Sequence, residues 1–598
     1  MGGSYRSPGA ISPVDPALPR DLGPAPPYPP ATVCPPAPDR RAARPLTVAL
    51  LAAAQGLLLA ATLAAHGGQF LPPLPDPVAP LPSGAILLQP GFGPLPVYRP
   101  DRWEWWFDFN KEELLDLRRR QRERAAADPD REVVPVDDAL RRKQLVPLLR
   151  ELTGHHNRDV RSTATLALAR TGLADQLPKV REMTRDNDLF VRCNALLAVG
   201  MLGGPPAVER LGKALADRDL PSEQRIFAAA ALALAGGPEA REILARRLTK
   251  ERMAKENNLL QAGLLYAAGL SEDPELLAPL AALESTWMLR RDGQLRAVWV
   301  VALGRLGAPG GLPHVLAHMD DQDNQVRRSA GAALEALATL LDGDQLTAVI
   351  EHTADENDVP ARINLLRALG RVRRPDSRAF LTERLAKATT LMLPHLALAL
   401  GMDGHPDNLE PILARLADTS DQTAVSALAV SLGLLGQPAA ADELTPRFLA
   451  ARDPLLQGYL CLGLGLLDVA SDDARKEMLH LAETTHDVEL VRLSVTALGL
   501  LGEEAALEQL AGTTRELRGT LDRAARLYAL GPVADARLAG SLAAVAADER
   551  QPSYVITYAA QALGALGDPL DRSDAWRFSR FVELNHDLAY LIELYRVP

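Results

Sequence analysis

From about residue 160 to residue 567 one pattern of apolar and polar positions recurs thirteen times: a run of Ala, Leu and Val three to four helical turns long, closing on Gly. The clearest copies are VRSTATLALARTG (Val160 to Gly172), VRCNALLAVGMLGG (Val191 to Gly204), QRIFAAAALALAGG (Gln224 to Gly237), LRAVWVVALGRLG (Leu295 to Gly307), AVSALAVSLGLLG (Ala424 to Gly436), VRLSVTALGLLG (Val491 to Gly502) and YVITYAAQALGALG (Tyr554 to Gly567). Weaker copies end near Gly269, Ala338, Gly370, Gly401, Leu467 and Gly531. Successive ends lie roughly 29 to 38 residues apart, the period of stacked helix pairs that bury their apolar faces on one another. The pattern predicts an all-α fold, an α-solenoid forming a superhelical array of about 13 helix pairs.

The polar residues between the runs fit this reading. An acidic or Asn-containing turn followed by Val-Arg stands before several runs: Asn157 before Val160-Arg161, Asp186 to Asp188 before Val191-Arg192, Asp320 to Asn324 before Val326-Arg327, and Asp487 before Val491-Arg492. Asp or Asn there accepts from the free N–H groups of the incoming helix. The Arg reaches an acid in its own or the neighbouring turn, which predicts a ladder of ion pairs along the stack. The glycines are read as left-handed helix ends.

The first hundred residues follow another pattern. Of 47 prolines, 23 precede residue 101, so residues 1–44 are expected to be a disordered Pro-rich tail and 67–101 an extended Pro-rich linker. Between them lies PLTVALLAAAQGLLLAATLAA, Pro45 to Ala65, with no charged residue from Pro45 to Pro75. About 20 apolar residues suffice to cross a bilayer as helix. Arg40, Arg41 and Arg44 precede the segment and the next cation is Arg99, so the positive-inside rule sends everything beyond residue 66 across the membrane. Residues 45–66 read as an uncleaved transmembrane signal anchor or as a signal peptide cut near Ala65; a buried helix of a soluble protein is the third reading.

Aromatic residues flank the array. Trp103, Trp105, Trp106, Phe107 and Phe109 crowd the start of residues 102–139, where Asn110 is expected to N-cap a helix with Glu113 three positions on, and Arg118 to Arg120 to suit its C-terminus. This segment reads as a cap over the open apolar end of the first repeat. A membrane-facing aromatic belt and a ligand cluster are the other readings. Residues 573–598, with Trp576, Phe578, Phe581, Tyr590 and Tyr595, read as the C-terminal cap, leaving 140–572 for the solenoid.

A chain of 598 residues exceeds what one hydrophobic core holds, and only 4% of it is aromatic, so the core is built from small aliphatic side chains. A net charge of −11 argues against a nucleic-acid surface. Cys34, Cys193 and Cys461 have no metal-ligand or disulfide spacing; the two inside repeats read as buried small hydrophobes. His314 and His318 share a helical face and precede Asp320, Asp321 and Asp323, but no third ligand is identifiable, and His155-His156 lie at a turn. No phosphate loop, nucleophile elbow or zinc-helix motif occurs. The expectation is a protein that is not an enzyme, with no catalytic, cofactor or metal residues. Tyr266, Asn364, Arg367, Gln457, Tyr459 and Tyr528 lie on the Gly-ending helices and are the candidate partner contacts.

The phrase D-x-x-VR-x-x-A-x-x-ALG-x-LG, over roughly residues 140 to 567, resembles HEAT repeats, especially the short form of the phycobilisome-lyase-like HEAT family. The order of a hydrophobic segment, His66-Gly67-Gly68, a Pro-rich linker and the Trp103 to Asn110 motif is similar to exported HEAT-repeat proteins of planctomycete-type bacteria. The resemblance implies scaffolds and adaptors and, in the lyase branch, proteins that attach chromophores. Together these readings give a non-catalytic protein–protein interaction scaffold, exported and membrane-tethered, with its solenoid on the extracytoplasmic side or secreted after cleavage. The partner is an unknown protein on the solenoid surface, with no nucleic acid. The alternatives are a HEAT-type chromophore lyase acting on a protein substrate and an envelope structural component.

Overall fold

The computed structural model describes residues 102–127 and 134–569. The Pro-rich tail 1–44, the apolar segment 45–66, the linker 67–101 and the C-terminal stretch 573–598 lie outside the described residues. Every regular element among the described residues is helical.

Two helices come first, α1 (Trp103–Leu115) and α2 (Leu117–Ala127). Thirteen helices then carry the repeated apolar phrase: α3 (Arg158–Arg170), α4 (Leu189–Leu202), α5 (Ser222–Ala235), α6 (Asn258–Leu270), α7 (Gly293–Arg305), α8 (Asn324–Leu337), α9 (Val359–Val372), α10 (Leu393–Asp403), α11 (Gln422–Leu435), α12 (Pro454–Leu467), α13 (Val488–Leu501), α14 (Thr520–Leu530) and α15 (Ser553–Leu566). Each is preceded by at least one further helix. The layers follow from composition. The helix Pro205–Ala216 buries only Ala207, Val208, Leu211 and Leu215, a single stripe. α5 instead buries every residue from Gln224 to Ala233. A helix apolar all round belongs inside, so the thirteen repeated helices form the inner layer and the amphipathic ones the outer layer.

The expected caps are present. Asn157, Asp188, Asp323 and Asp487 each accept from backbone N–H groups in the first turn of α3, α4, α8 and α13. At the other ends, Gly436 and Gly502 take φ of 68° and 70°. The ladder forms as well. Arg161 donates to both carboxylate oxygens of Asp186 in the next repeat at 2.8 and 2.9 Å. Arg296 does the same to Asp321, and Arg327 to Glu356. Burial alone would push the Glu356 carboxyl up; hydrogen bonds from Arg327 and the Asp358 N–H overcome it and hold the group below its ordinary value.

The reading of every glycine as a helix end needs correction. The first glycine of A-L-G-x-L-G lies inside the helix, where the next inner helix crosses it. A Cβ on Gly200 would sit 2.2 Å from the Ala231 carbonyl oxygen. On Gly304 it would meet Ala333 Cα at 2.6 Å and on Gly370 the Ala399 oxygen at 2.4 Å; Gly531, just past the end of α14, would meet Ala562 Cα at 2.8 Å in the same way. Glycine faces alanine at each of these joints because two helix backbones touch there.

The same joint closes the array. Each inner helix packs on the next from α3 to α15, and α15 packs on α3. A Cβ on Gly564 would lie 2.6 Å from Ala167 Cβ, as at any interior joint. Arg170 donates from Nε to Asp568 Oδ2 across this seam at 2.9 Å. The expected open superhelix is therefore a closed ring of thirteen inner helices. The rotation between repeats, about 28° each when thirteen make one turn, accumulates within a plane rather than along an axis.

Candidate interaction surface

The aromatic lead segment is a helix from its first tryptophan. Trp103, Trp106 and Phe107 are spaced i, i+3, i+4, so they share one face, and all three are buried. Asn110 is not an N-cap: it lies inside α1, where its Nδ2 donates to the Trp106 carbonyl at 2.5 Å. Packing of the aromatic face onto other helices starts the helix at Trp103, eight residues before the Lys111 start that an N-cap at Asn110 implies.

That face does not cover the first repeat. Trp103 packs on Tyr459 of α12 with ring centroids 4.7 Å apart, and Phe107 meets the same ring edge-on at 6.1 Å. The Arg367 guanidinium of α9 stacks on Trp106 at 4.7 Å. Lys111 Nζ lies 5.3 Å from the Tyr528 ring of α14. Glu113 Oε1 is 3.1 Å from Arg371 Nη1 of α9, whose Nε lies 3.5 Å from Glu335 of α8. Glu113 keeps 40% of its side chain exposed, yet partial desolvation against the inner helices raises its carboxyl above its ordinary value despite Arg371. Burial also disfavours charge on Arg371, and Glu335 and Glu113 more than offset that. With both ends of the array packed on each other, no open end is left to cap. The apolar helix docks on the inner helices of the middle and late repeats instead.

Asp116, at φ 41°, separates α1 from α2. Arg118 and Arg120 do sit at helix C-termini, but not at that of α1. Arg118 donates to the carbonyls of Ala565 and Asp568 at the end of α15. Arg120 donates to Leu466 O of α12 at 3.1 Å. Arg124 pairs with Asp468 at 3.1 Å and reaches Gly499 O of α13. The last carbonyls of a helix are unpaired and carry its negative pole, so cations are favoured there.

Of the six candidate contacts, Arg367, Tyr459 and Tyr528 meet α1. Asn364 is buried and donates to Arg328 O at 2.8 Å, joining α9 to α8. Tyr266 and Gln457 are buried on α6 and α12. The Glu335–Arg371–Glu113 chain and the arginine-to-carbonyl contacts were not anticipated. Their trace in the sequence is charge where the repeat expects none: Glu335 and Arg371 interrupt the Ala/Leu phrase of α8 and α9.

The histidines do not gather. His314 Nδ1 lies 3.1 Å from Glu284, His318 Nδ1 lies 2.8 Å from His314 O, and both rings stand edge-on to Trp299. In the open hollow beside them, Arg296 is already engaged by Asp321. Among the described residues no group of three or more His, Cys, Asp or Glu has a metal-binding arrangement, and no helix is long and apolar enough to cross a membrane. Cys193 and Cys461 are fully buried, which pushes both thiols far up.

No curated protein matches the sequence. Many solved structures are similar to part of the chain, among them the following two. Human deoxyhypusine hydroxylase in complex with glycerol is 20% identical with a TM-score of 0.21, over 44% of this chain and 96% of that one. The complex of CpcE and CpcF of phycocyanin lyase from Nostoc sp. PCC7120 is 17% identical with a TM-score of 0.28, over 43% of this chain and 93% of that one. The family description HEAT repeats matches residues 136–192, which include α3. The description PBS lyase HEAT-like repeat matches residues 191–217, which take in most of α4 and the outer helix after it. The chain carries HEAT repeats, a PBS lyase HEAT-like repeat among them.

Proposed function

We propose that this protein is a non-catalytic scaffold that binds helical segments of another protein on the inner face of its ring. In this reading it is exported and held at a membrane by residues 45–66, or released after cleavage near Ala65. The observation that carries the binding role is the docking of α1: a helix with an aromatic face is held by Tyr459, Arg367 and Tyr528 of the inner helices. Buried aromatic rings and stacked arginines are the side chains that dominate binding energy where proteins meet. HEAT arrays mediate protein–protein contacts through such surfaces.

The test is affinity capture from membrane extracts with the full chain and with a Trp103→Ala/Trp106→Ala variant that weakens the resident helix. One stoichiometric protein, recovered more strongly by the variant and lost when Tyr459→Ala is added, supports the reading. Recovery of the chain alone favours an envelope structural component. Fractionation with the soluble cytosol overturns the export reading. The PBS lyase HEAT-like match at residues 191–217 favours a second reading, chromophore attachment to a protein. That reading requires transfer of a bilin to an acceptor protein, detected as covalent absorbance on the acceptor.

A further inference from the structure

Every interior joint of the ring has a covalent companion, because neighbouring inner helices are linked through one or two outer helices. The seam between α15 and α3 has none along the repeats: Arg170 and Asp568 are 398 residues apart. A contact between distant chain segments must bear the loop-closure entropy that a linked joint does not. The seam is built from the same glycine–alanine joint as the others, so on its own it is the weakest point of the cycle.

The chain before the first repeat supplies the missing link. Residues 134–137 lead directly into the first repeat at Asp138, yet Val134 and α2 are fastened to the last repeats. Val134 O accepts from Ala536 N at 2.8 Å, and Gln121 Oε1 accepts from Ala534 N at 3.3 Å. Arg120 and Arg124 hold the ends of α12 and α13. Arg118 takes two carbonyls at the end of α15. Asp568 is the meeting point, with its backbone oxygen bound by Arg118 and its side chain by Arg170.

We infer that residues 103–127, together with Val134, are a clasp that keeps the ring shut, and that their release opens the ring at the α15–α3 seam and nowhere else. The clasp shortens the path from Asp568 to the first repeat from the whole array to the few tens of residues between Arg118 and α3. It also occupies the inner face while the ring is closed. One device therefore couples access to that face with opening of the cycle. The inference concerns the seam and holds whether or not the inner face serves a protein partner.

The experiment is hydrogen–deuterium exchange followed by mass spectrometry on the full chain and on a Trp103→Ala/Trp106→Ala/Arg118→Ala variant. The expected result is fast exchange in residues 103–127, exchange at least tenfold faster in 158–170 and 553–566, and no change in 424–435. Release of 103–127 with the two seam helices still protected overturns the clasp. So does a segment that stays protected after losing all three anchors. Uniform acceleration through 424–435 also overturns it, because the segment would then belong to the core of the whole array.

Discussion

Arg170, the last residue of the first inner helix, donates to Asp568, just beyond the last inner helix, at 2.9 Å, and the two side chains are 8% and 0% exposed. A buried guanidinium left without its carboxylate costs about 3–5 kcal/mol. Asp568→Ala is therefore expected to destabilise the seam by that order, seen in urea as an early partial transition. Glu209→Ala removes an ion pair whose partners are 69% and 76% exposed, and is expected to leave the urea midpoint essentially unchanged.

The glycine joints give a second expectation. Gly304→Ala places a methyl group 2.6 Å from Ala333 Cα, backbone against backbone, where no side chain can swing away. Overpacking of this kind costs about 1–3 kcal/mol. Gly512→Ala, on an outer helix with nothing within 4 Å, is expected to stabilise by up to about 1 kcal/mol. Thermal melts of the two variants should move in opposite directions.

The contrast shows what the sequence could reveal. Helix type, repeat number, Asn157 and Asp487 as caps, and the Arg161–Asp186 ladder all follow from local pattern and period. Tyr459, Arg367 and Tyr528 stand out only as residues of the Gly-ending helices, and the sequence does not show that they meet α1 of the same chain. Closure was not legible: Gly564 and Ala167 carry the same letters as every interior pair, and nothing in one repeat fixes the sum of thirteen small rotations. The clasp was misread for the same reason. Capping the first repeat is the right default for an open array, and the ring has no open end.

Arg367 and Trp106 supply a third expectation. The guanidinium is buried and stacked 4.7 Å from the ring, a geometry that contributes about 2 kcal/mol when water is excluded. Lysine has neither the flat face nor the weak hydration that stacking uses. Arg367→Lys is expected to loosen α1 nearly as much as Arg367→Ala. Trypsin cleavage at Arg119 and Arg122 should accelerate in both, and a lysine variant with wild-type cleavage rates would show that charge alone holds the helix.

Acid should act on the two charged systems in opposite directions. The Asp186, Asp321, Glu356 and Asp358 carboxyls are each pushed up by burial but held below their ordinary values by a facing arginine and a backbone N–H. A depressed folded value means these groups add stability above the unfolded value, about pH 4, and lose it as the pH falls through the folded one. Glu113 is raised by burial, so its contribution is fullest below its unfolded value and declines as the pH rises through the folded one. Between pH 6 and 3 the urea midpoint of the array is expected to fall, while docking of α1 gains from protonation of Glu113. Glu356→Gln should lower the midpoint at pH 7, with the difference from wild type shrinking toward pH 3. A difference that stays constant over that range would mean that Glu356 acts on the ladder through packing and not through its charge.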